Sequence, residues 1–384
     1  MTRDDHGSGY DVAVVGAGIV GLAHAWMAAR RGYRVALFER SSWAHGASIR
    51  NFGMVWPVGQ PAGHPIETAL RSRDLWLELS KACGLWINRC GSIHLAHRLD
   101  ELAVLEEFCE FAASTAYSAR MLSRDEVLEQ SAAANPNGLL GGMWSDTELC
   151  VNPRQAVSTI PKWLSESLDV ALHFDTLIVS AGEGRLAASD GRMWQADRIV
   201  ICSGSDFQTL FPTVFADSGL QRCKLQMMKT VPQPDGFRIG PHLASGLTLR
   251  HNASFRQCAS LAALRDRIAE ETPELDQFGI HVIASQNGDG EVILGDSHEY
   301  DDNVTPFDSS EIESLMLREL RRVLVLPDWS LTERWHGIYA RHPDRLIFEA
   351  EPLPGVHIAV GPGGAGMTMS FGLADNRWSE WHGQ

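Results

Sequence analysis

Residues 11–40 read DVAVVGAGIVGLAHAWMAARRGYRVALFER, and no other stretch constrains the fold of this chain as strongly. Val12, Val14 and Val15 suit a buried strand. Gly16, Gly18 and Gly21 then stand in G-x-G-x-x-G register where that strand should hand over to a helix. The first glycine permits the tight turn, the second lets backbone approach a pyrophosphate, and the third lets the helix lie close on the sheet. Ile19 and Val20 sit at the helix N-terminus, where unpaired N–H groups and the helix dipole favour negative charge. A second strand, 34–38, ends at Glu39 with Arg40 beside it. Glu39 can hydrogen-bond a ribose hydroxyl and would repel a 2′-phosphate. Strand, glycines, helix and a following acid supply the context a dinucleotide fingerprint requires, while leaving the identity of the dinucleotide open.

A chain of 384 residues suggests about two domains. Its 33 basic and 48 acidic residues give a net charge of −15, a field that repels a phosphate backbone, so nucleic acid is not an expected partner. The seven cysteines, Cys83, Cys90, Cys109, Cys150, Cys202, Cys223 and Cys258, form no C-x-x-C pair, which argues against a metal cluster or a dithiol centre. No metal is expected. The odd cysteine count and the lack of a signal-peptide pattern fit reduced thiols and a cytoplasmic protein. The apolar run 12–29 is broken by glycines and His24 and flanked by charges, so it fits a nucleotide-binding turn better than a membrane span.

Along the chain, 65–82 reads as an amphipathic helix, 90–96 as a strand, and 99–114 as a charged helix. Asn152 and Pro153 have the residue types of an N-cap and a first helical position. Residues 198–202 form a buried-strand run ending in Ser203 and Gly204. Between 220 and 300, LQMMKTV, GLTLRH, GIHVIASQ and GEVILGDS have strand length, with Asn287-Gly288-Asp289-Gly290 as a hairpin signal. A helix is expected over 306–325. Near the C-terminus, strand 357–360 runs into Gly361-Pro362-Gly363-Gly364-Ala365-Gly366-Met367-Thr368 and a further helix, a second anion-accepting turn.

Residues 41–57, SSWAHGASIRNFGMVWP, are rich in small side chains that let backbone approach a flat ring. With the opening fingerprint, the run Gly46-Ala47-Ser48-Ile49-Arg50-Asn51-Phe52-Gly53 resembles the D-amino-acid oxidase superfamily, which includes glycine oxidase and sarcosine oxidase. The resemblance covers nearly the whole chain. It implies an α/β fold: a Rossmann-like FAD-binding domain (1–82, 145–215 and 331–384) and a discontinuous α+β substrate domain (83–144 and 216–330) with a largely antiparallel sheet. It also implies FAD held without a covalent bond, although His45 lies near a position that some relatives link to the flavin. The FAD contacts it implies are Gly16, Gly18, Ile19, Val20, Gly21, Glu39, Arg40, His45, Gly46, Ala47, Ser48, Arg50, Asn51, Ser203, Gly204, Gly363, Gly364, Gly366, Met367 and Thr368. The GEVILGDSHEY stretch matches the strand that ends beside the substrate in that superfamily.

The chemistry implied is hydride transfer from a carbon bearing an amine to the flavin, with hydrolysis of the imine and reoxidation by molecular oxygen or another acceptor. Amino-acid oxidases of this family commonly carry a W-x-G-L-R-P-x-T-P-D stretch whose arginine clamps the substrate carboxylate. The corresponding residues here are Trp335-His336-Gly337-Ile338-Tyr339-Ala340-Arg341-His342-Pro343-Asp344, with tyrosine in place of that arginine. A two-residue slip would instead bring Arg341 to the clamp. The GASIRNFGMVWP run, residues 46–57, resembles a subgroup associated with phosphonate catabolism. Dispersed donors such as Arg50, Lys224, Arg341 and His342, with Tyr339 at the pocket, suit a phosphonate better than one planar fork. The expected substrate is therefore a small anionic amine, with an aminophosphonate such as N-methylated 2-aminoethylphosphonate in first place. Glycine, sarcosine or a D-amino acid is the alternative, and a flavin-binding or assembly protein the non-enzymatic one.

Overall fold

The structure is a computed structural model that describes residues 9–301 and 303–383; the extreme ends of the expected cofactor domain, and the start of the chain on which the signal-peptide reading bears, lie outside the described residues. Strand β1 (Tyr10–Val15), helix α1 (Ile19–Ala29) and strand β2 (Val35–Phe38) form the expected opening unit. Around β1 a parallel sheet runs in the order Val356–Val360, Met193–Ile201, β1, β2, Ala171–His173. Antiparallel strands at its edge bring it to eight. Both faces of β1 are covered, as a near-continuous apolar strand demands. Val12 and Val14 pack with α1, the helix Pro153–Leu168 and the closing helix Gly366–His382, while Ala13 packs with Ile178, Leu186 and Phe215 on the other side.

The second sheet has nine strands and is antiparallel except where His242–Ala244 runs beside Ser92–Ala96. The long strand Gln221–Pro232 pairs with Leu331–Arg341 along one edge and with Glu291–Gly295 along the other. Its core is shared with the helices Leu99–Ala112, Leu261–Glu271 and Ser310–Val323. A small antiparallel sheet of Met54–Val55, Leu149–Val151 and Ile87–Asn88 stands apart from both large sheets. The expected mixture of a Rossmann-like unit and an antiparallel sheet is what the chain forms.

Two local expectations differ from the structure. The strand Leu331–Arg341, expected with the cofactor domain, hydrogen-bonds from Gln221↔Arg341 to Thr230↔Leu331 inside the nine-stranded sheet. The GLTLRH segment reads as a strand because Leu247 and Leu249 alternate with polar residues, yet Gly246–Arg250 is a 3₁₀ turn. Both leucines are buried there, and a Cβ on Gly246 would lie 2.1 Å from Glu101 Cδ, so close packing against a neighbouring helix decides the conformation. Asn152 does cap its helix, its side-chain oxygen accepting from Arg154 N at 3.1 Å and Gln155 N at 3.2 Å. All seven cysteines are free thiols, and among the described residues no helix is long and apolar enough to cross a membrane.

Candidate active site

The two glycine turns meet at one cavity of about 490 Å³. At the first, Gly16 has φ of +105° and a Cβ there would lie 2.3 Å from the Cys202 carbonyl oxygen. A Cβ on Gly21 would come within 1.8 Å of the Gly16 carbonyl oxygen, so Gly21 sets the closeness of helix to turn and does not itself line the cavity. Ile19 N donates to Ser48 Oγ at 2.9 Å, tying the start of α1 to the small-residue segment. Glu39 is oriented by two amides, Ala17 N at 3.0 Å on Oε2 and Ser41 N at 3.2 Å on Oε1. Arg40 pairs with Asp206 across the same end. Burial works against ionising Asp206, but hydrogen bonds from Thr209 and Arg40 overcome it and hold the acid at about 2.

At the other turn, Gly363, Gly364, Gly366 and Met367 line the cavity where the closing helix begins. Thr368 does not. Its Oγ1 accepts from Trp56 N at 2.9 Å, fastening the 46–57 segment to that helix. His45, Gly46, Ala47, Ser48, Arg50 and Asn51 all border the cavity, as do Val20, Ser203 and Gly204. His45 is exposed, with Trp43 4.3 Å away between ring centroids.

Beyond the turns the wall is built from the antiparallel sheet. Leu225, Met227, Gly337, Ile338, Tyr339, Asp296 and His298 line it together with Phe52. Tyr339 is buried, and a Cβ on Gly364 would lie 3.7 Å from its hydroxyl, so the phenol stands beside the closing turn. Burial and the neighbouring Cys223 and Tyr300 push the Tyr339 hydroxyl well above its ordinary range, leaving it a neutral donor. Arg50 borders the cavity and donates to the His336 carbonyl at 3.3 Å; among the described residues it has no carboxylate partner.

The other expected donors are elsewhere. Lys224 alternates with Leu225 and Met227 along its strand and so lies on the opposite face, 1% exposed at the side chain, 3.2 Å from Asp308 and bonded to the Phe307 carbonyl. Arg341 donates to the Tyr300 hydroxyl at 2.8 Å and does not line the cavity. His342 accepts from Asp344 N at 3.0 Å, also outside it. Asp296 and His298 are not among the individually expected contacts, although both belong to the GEVILGDSHEY stretch. Burial pushes Asp296 well above the usual carboxylate range and His298 down to about 4.

Two glycine turns opening helices onto one cavity, under a Rossmann-like sheet with an antiparallel sheet as its lid, define a dinucleotide-dependent oxidoreductase of the flavoprotein kind. The chain matches the family described as FAD dependent oxidoreductase (DAO) over residues 11–376 and belongs to it. It is 29% identical over 211 residues to glycine oxidase of Geobacillus kaustophilus strain HTA426, a match covering 51% of this chain and 55% of that protein. The match thus spans about half the length of that relative. A subunit of the opine oxidase of Rhizobium meliloti is 22% identical over 364 residues, 91% of this chain and 87% of that one. In fold, the chain superposes on the glycine oxidase of Bacillus cereus ATCC 14579 with a TM-score of 0.76 at 17% identity, covering 97% and 95% of the two chains. The cradle fits the family's cofactor: the positions a side chain would block are glycine, and nothing lies within 4 Å of a Cβ built on Gly46 or Gly204.

Proposed function

We propose that this protein oxidises a small anionic amine, the best-fitting class being an aminophosphonate such as N-methylated 2-aminoethylphosphonate. Bound FAD, held without a covalent bond between the Gly16–Gly21 and Gly363–Gly366 turns, supplies the hydride acceptor. Arg50 and the Tyr339 hydroxyl are the donors on the cavity wall for the substrate's anionic group. Phe52, Leu225 and Met227 supply apolar surface on that wall beside Asp296 and His298, which favours the neutral amine, the form that can release hydride. No proton-abstracting side chain is then required. The oxidised substrate leaves as an imine that water converts to a carbonyl compound and an amine, and electrons pass on to molecular oxygen or another acceptor.

The observation that carries the phosphonate reading is Tyr339: where a planar arginine fork would hold a carboxylate there is a single phenol, and Arg50 approaches from another segment. Two separated donors match a tetrahedral oxyanion better than a flat one. The names of the glycine oxidase and opine oxidase relatives favour the second reading, an amino-acid substrate such as glycine or sarcosine. Anaerobic flavin bleaching and peroxide release, measured across N-methyl-2-aminoethylphosphonate, 2-aminoethylphosphonate, sarcosine, glycine and D-amino acids, decide between them. Faster turnover of the phosphonates is expected. Robust turnover of amino acids with none of the phosphonates would sink the phosphonate reading, and no bleaching by any amine would favour a flavin-binding protein without this activity.

A further inference from the structure

We propose that His251, His281, His298 and Asp296 bind one divalent transition-metal ion at the wall of the cavity. These residues come from three separate segments. His251 follows the 3₁₀ turn Gly246–Arg250, His281 precedes the strand Ile283–Gln286, and Asp296 and His298 follow the strand Glu291–Gly295. One nitrogen from each of the three histidines lies within 4.8 Å of the others. His281 Nε2 is 3.1 Å from Asp296 Oδ1, and His298 Nε2 is 3.9 Å from Asp296 Oδ2. Around a tetrahedral ion with metal–nitrogen bonds of about 2.0–2.1 Å, neighbouring donor atoms stand roughly 3.3 Å apart. The His281–Asp296 pair already has that spacing, while the three imidazole nitrogens, within 4.8 Å of one another, and Asp296 Oδ2, 3.9 Å from His298, would close in on the ion.

The hydrogen bonding of these groups is what an ion would complete. His281 and Asp296 are 6% and 5% exposed, yet Asp296 Oδ1 and His251 Nε2 are buried without a hydrogen-bond partner. An approach of 3.1 Å that is not aligned as a hydrogen bond is expected of two donors aimed at a shared third centre. His298 Nδ1 lies 3.2 Å from the Gly279 carbonyl, which can only accept, so Nδ1 carries the proton and the Nε2 lone pair is left free. Such an outer bond is how a ligating histidine is usually fixed.

The charge balance is compatible. Arg250, Arg341 and Arg265 all bear on the cluster, but Arg250 is paired with Asp276 at 2.9 Å, Arg341 donates to Tyr300 and Arg265 is exposed to solvent. Among the described residues, Asp296 has only histidines as ionic neighbours, and an ion would supply the charge its carboxylate lacks. Three imidazoles and one carboxylate suit zinc, cobalt or nickel better than magnesium or calcium. The site needs no change in redox state and stands whether or not the substrate is a phosphonate.

The test uses the flavin-loaded protein, stripped with a chelator and titrated with cobalt(II), followed by visible absorption beyond the flavin bands, and with zinc by calorimetry. One ion per chain, with a Kd on the order of a micromolar or tighter, is expected. His281→Ala and His251→Ala, each checked for unchanged flavin content, should weaken binding by at least about tenfold. X-ray absorption of the zinc-loaded wild type needs no variant and should show nitrogen and oxygen donors alone. Absence of stoichiometric binding, wild-type affinity in both variants, or a sulfur shell near the roughly 2.3 Å of a zinc–thiolate bond would overturn the proposal.

Discussion

At position 339 a buried phenol stands beside the closing glycine turn, and its chemistry limits what the cavity can hold. A neutral hydroxyl gives one hydrogen bond where a guanidinium gives two with charge. Arg50 therefore supplies the principal charge toward a substrate anion in the proposed reading. Truncating it as Arg50→Ala should cost about 2 kcal/mol of binding, or roughly 30-fold in KM, with a smaller change in kcat. Steady-state kinetics on an aminophosphonate check this, and an unchanged KM would remove Arg50 from the anion site. Tyr339→Arg should move preference toward sarcosine or glycine, read as a higher ratio of kcat/KM for carboxylates over phosphonates. Glycine positions act by exclusion instead. Because a Cβ on Gly21 would come within 1.8 Å of a backbone oxygen, Gly21→Ala should yield protein with little bound flavin, seen in the ratio of flavin to protein absorbance.

Strand alternation sorts the remaining cations at the scale of the element. Along Gln221–Pro232, Leu225 and Met227 face the cavity and Lys224 faces away, so a lysine that reads as a donor in the sequence serves an ion pair on the far side. Lys224→Met should leave KM unchanged. Its stability cost should be about 1 kcal/mol or less, because Asp308 is 39% exposed and can return to water. A KM rise comparable with that of Arg50→Ala would contradict the facing. The same scale shows what is legible in the sequence. Helices such as His64–Cys83 and Leu99–Ala112 follow from local periodicity and appear within a residue or two of expectation. GLTLRH does not, since its alternation of leucines fits a strand as well as a turn whose leucines are buried by neighbours far along the chain.

Across the whole molecule, neutral histidines are built into both sheets and their helices. His24 in α1 accepts from the Trp378 indole at 3.2 Å, and burial pushes it down to about 3. His94 and His242 in the nine-stranded sheet are buried and held at about 3 and about 4. In each the folded value lies below the ordinary 6.5, so the unfolded chain takes the proton first. Their contribution to stability is complete above about pH 6.5 and is lost as pH falls toward 4 and then 3. Each group weakens the fold by up to about 1.4 kcal/mol per pH unit in that window. Thermal midpoints measured from about pH 7.5 to about 4.5 should fall steeply below about 6.5; a flat profile would show that these histidines are not buried in neutral form.

The amino-acid sequence by itself determined the cofactor cradle, because a positive-φ turn, a close helix–strand packing and a helix N-terminus are set by residues a few positions apart. The motif around Tyr339 also pointed to the wall of the same cavity, which that residue lines. Tertiary structure alone decided which cations reach the cavity and which histidines gather. His251, His281 and His298 have no spacing that suggests a shared site, and Arg341 and Lys224 differ from Arg50 only in what long-range contacts surround them. Those contacts depend on strand facing and on packing between segments far apart in the chain, which no local pattern encodes.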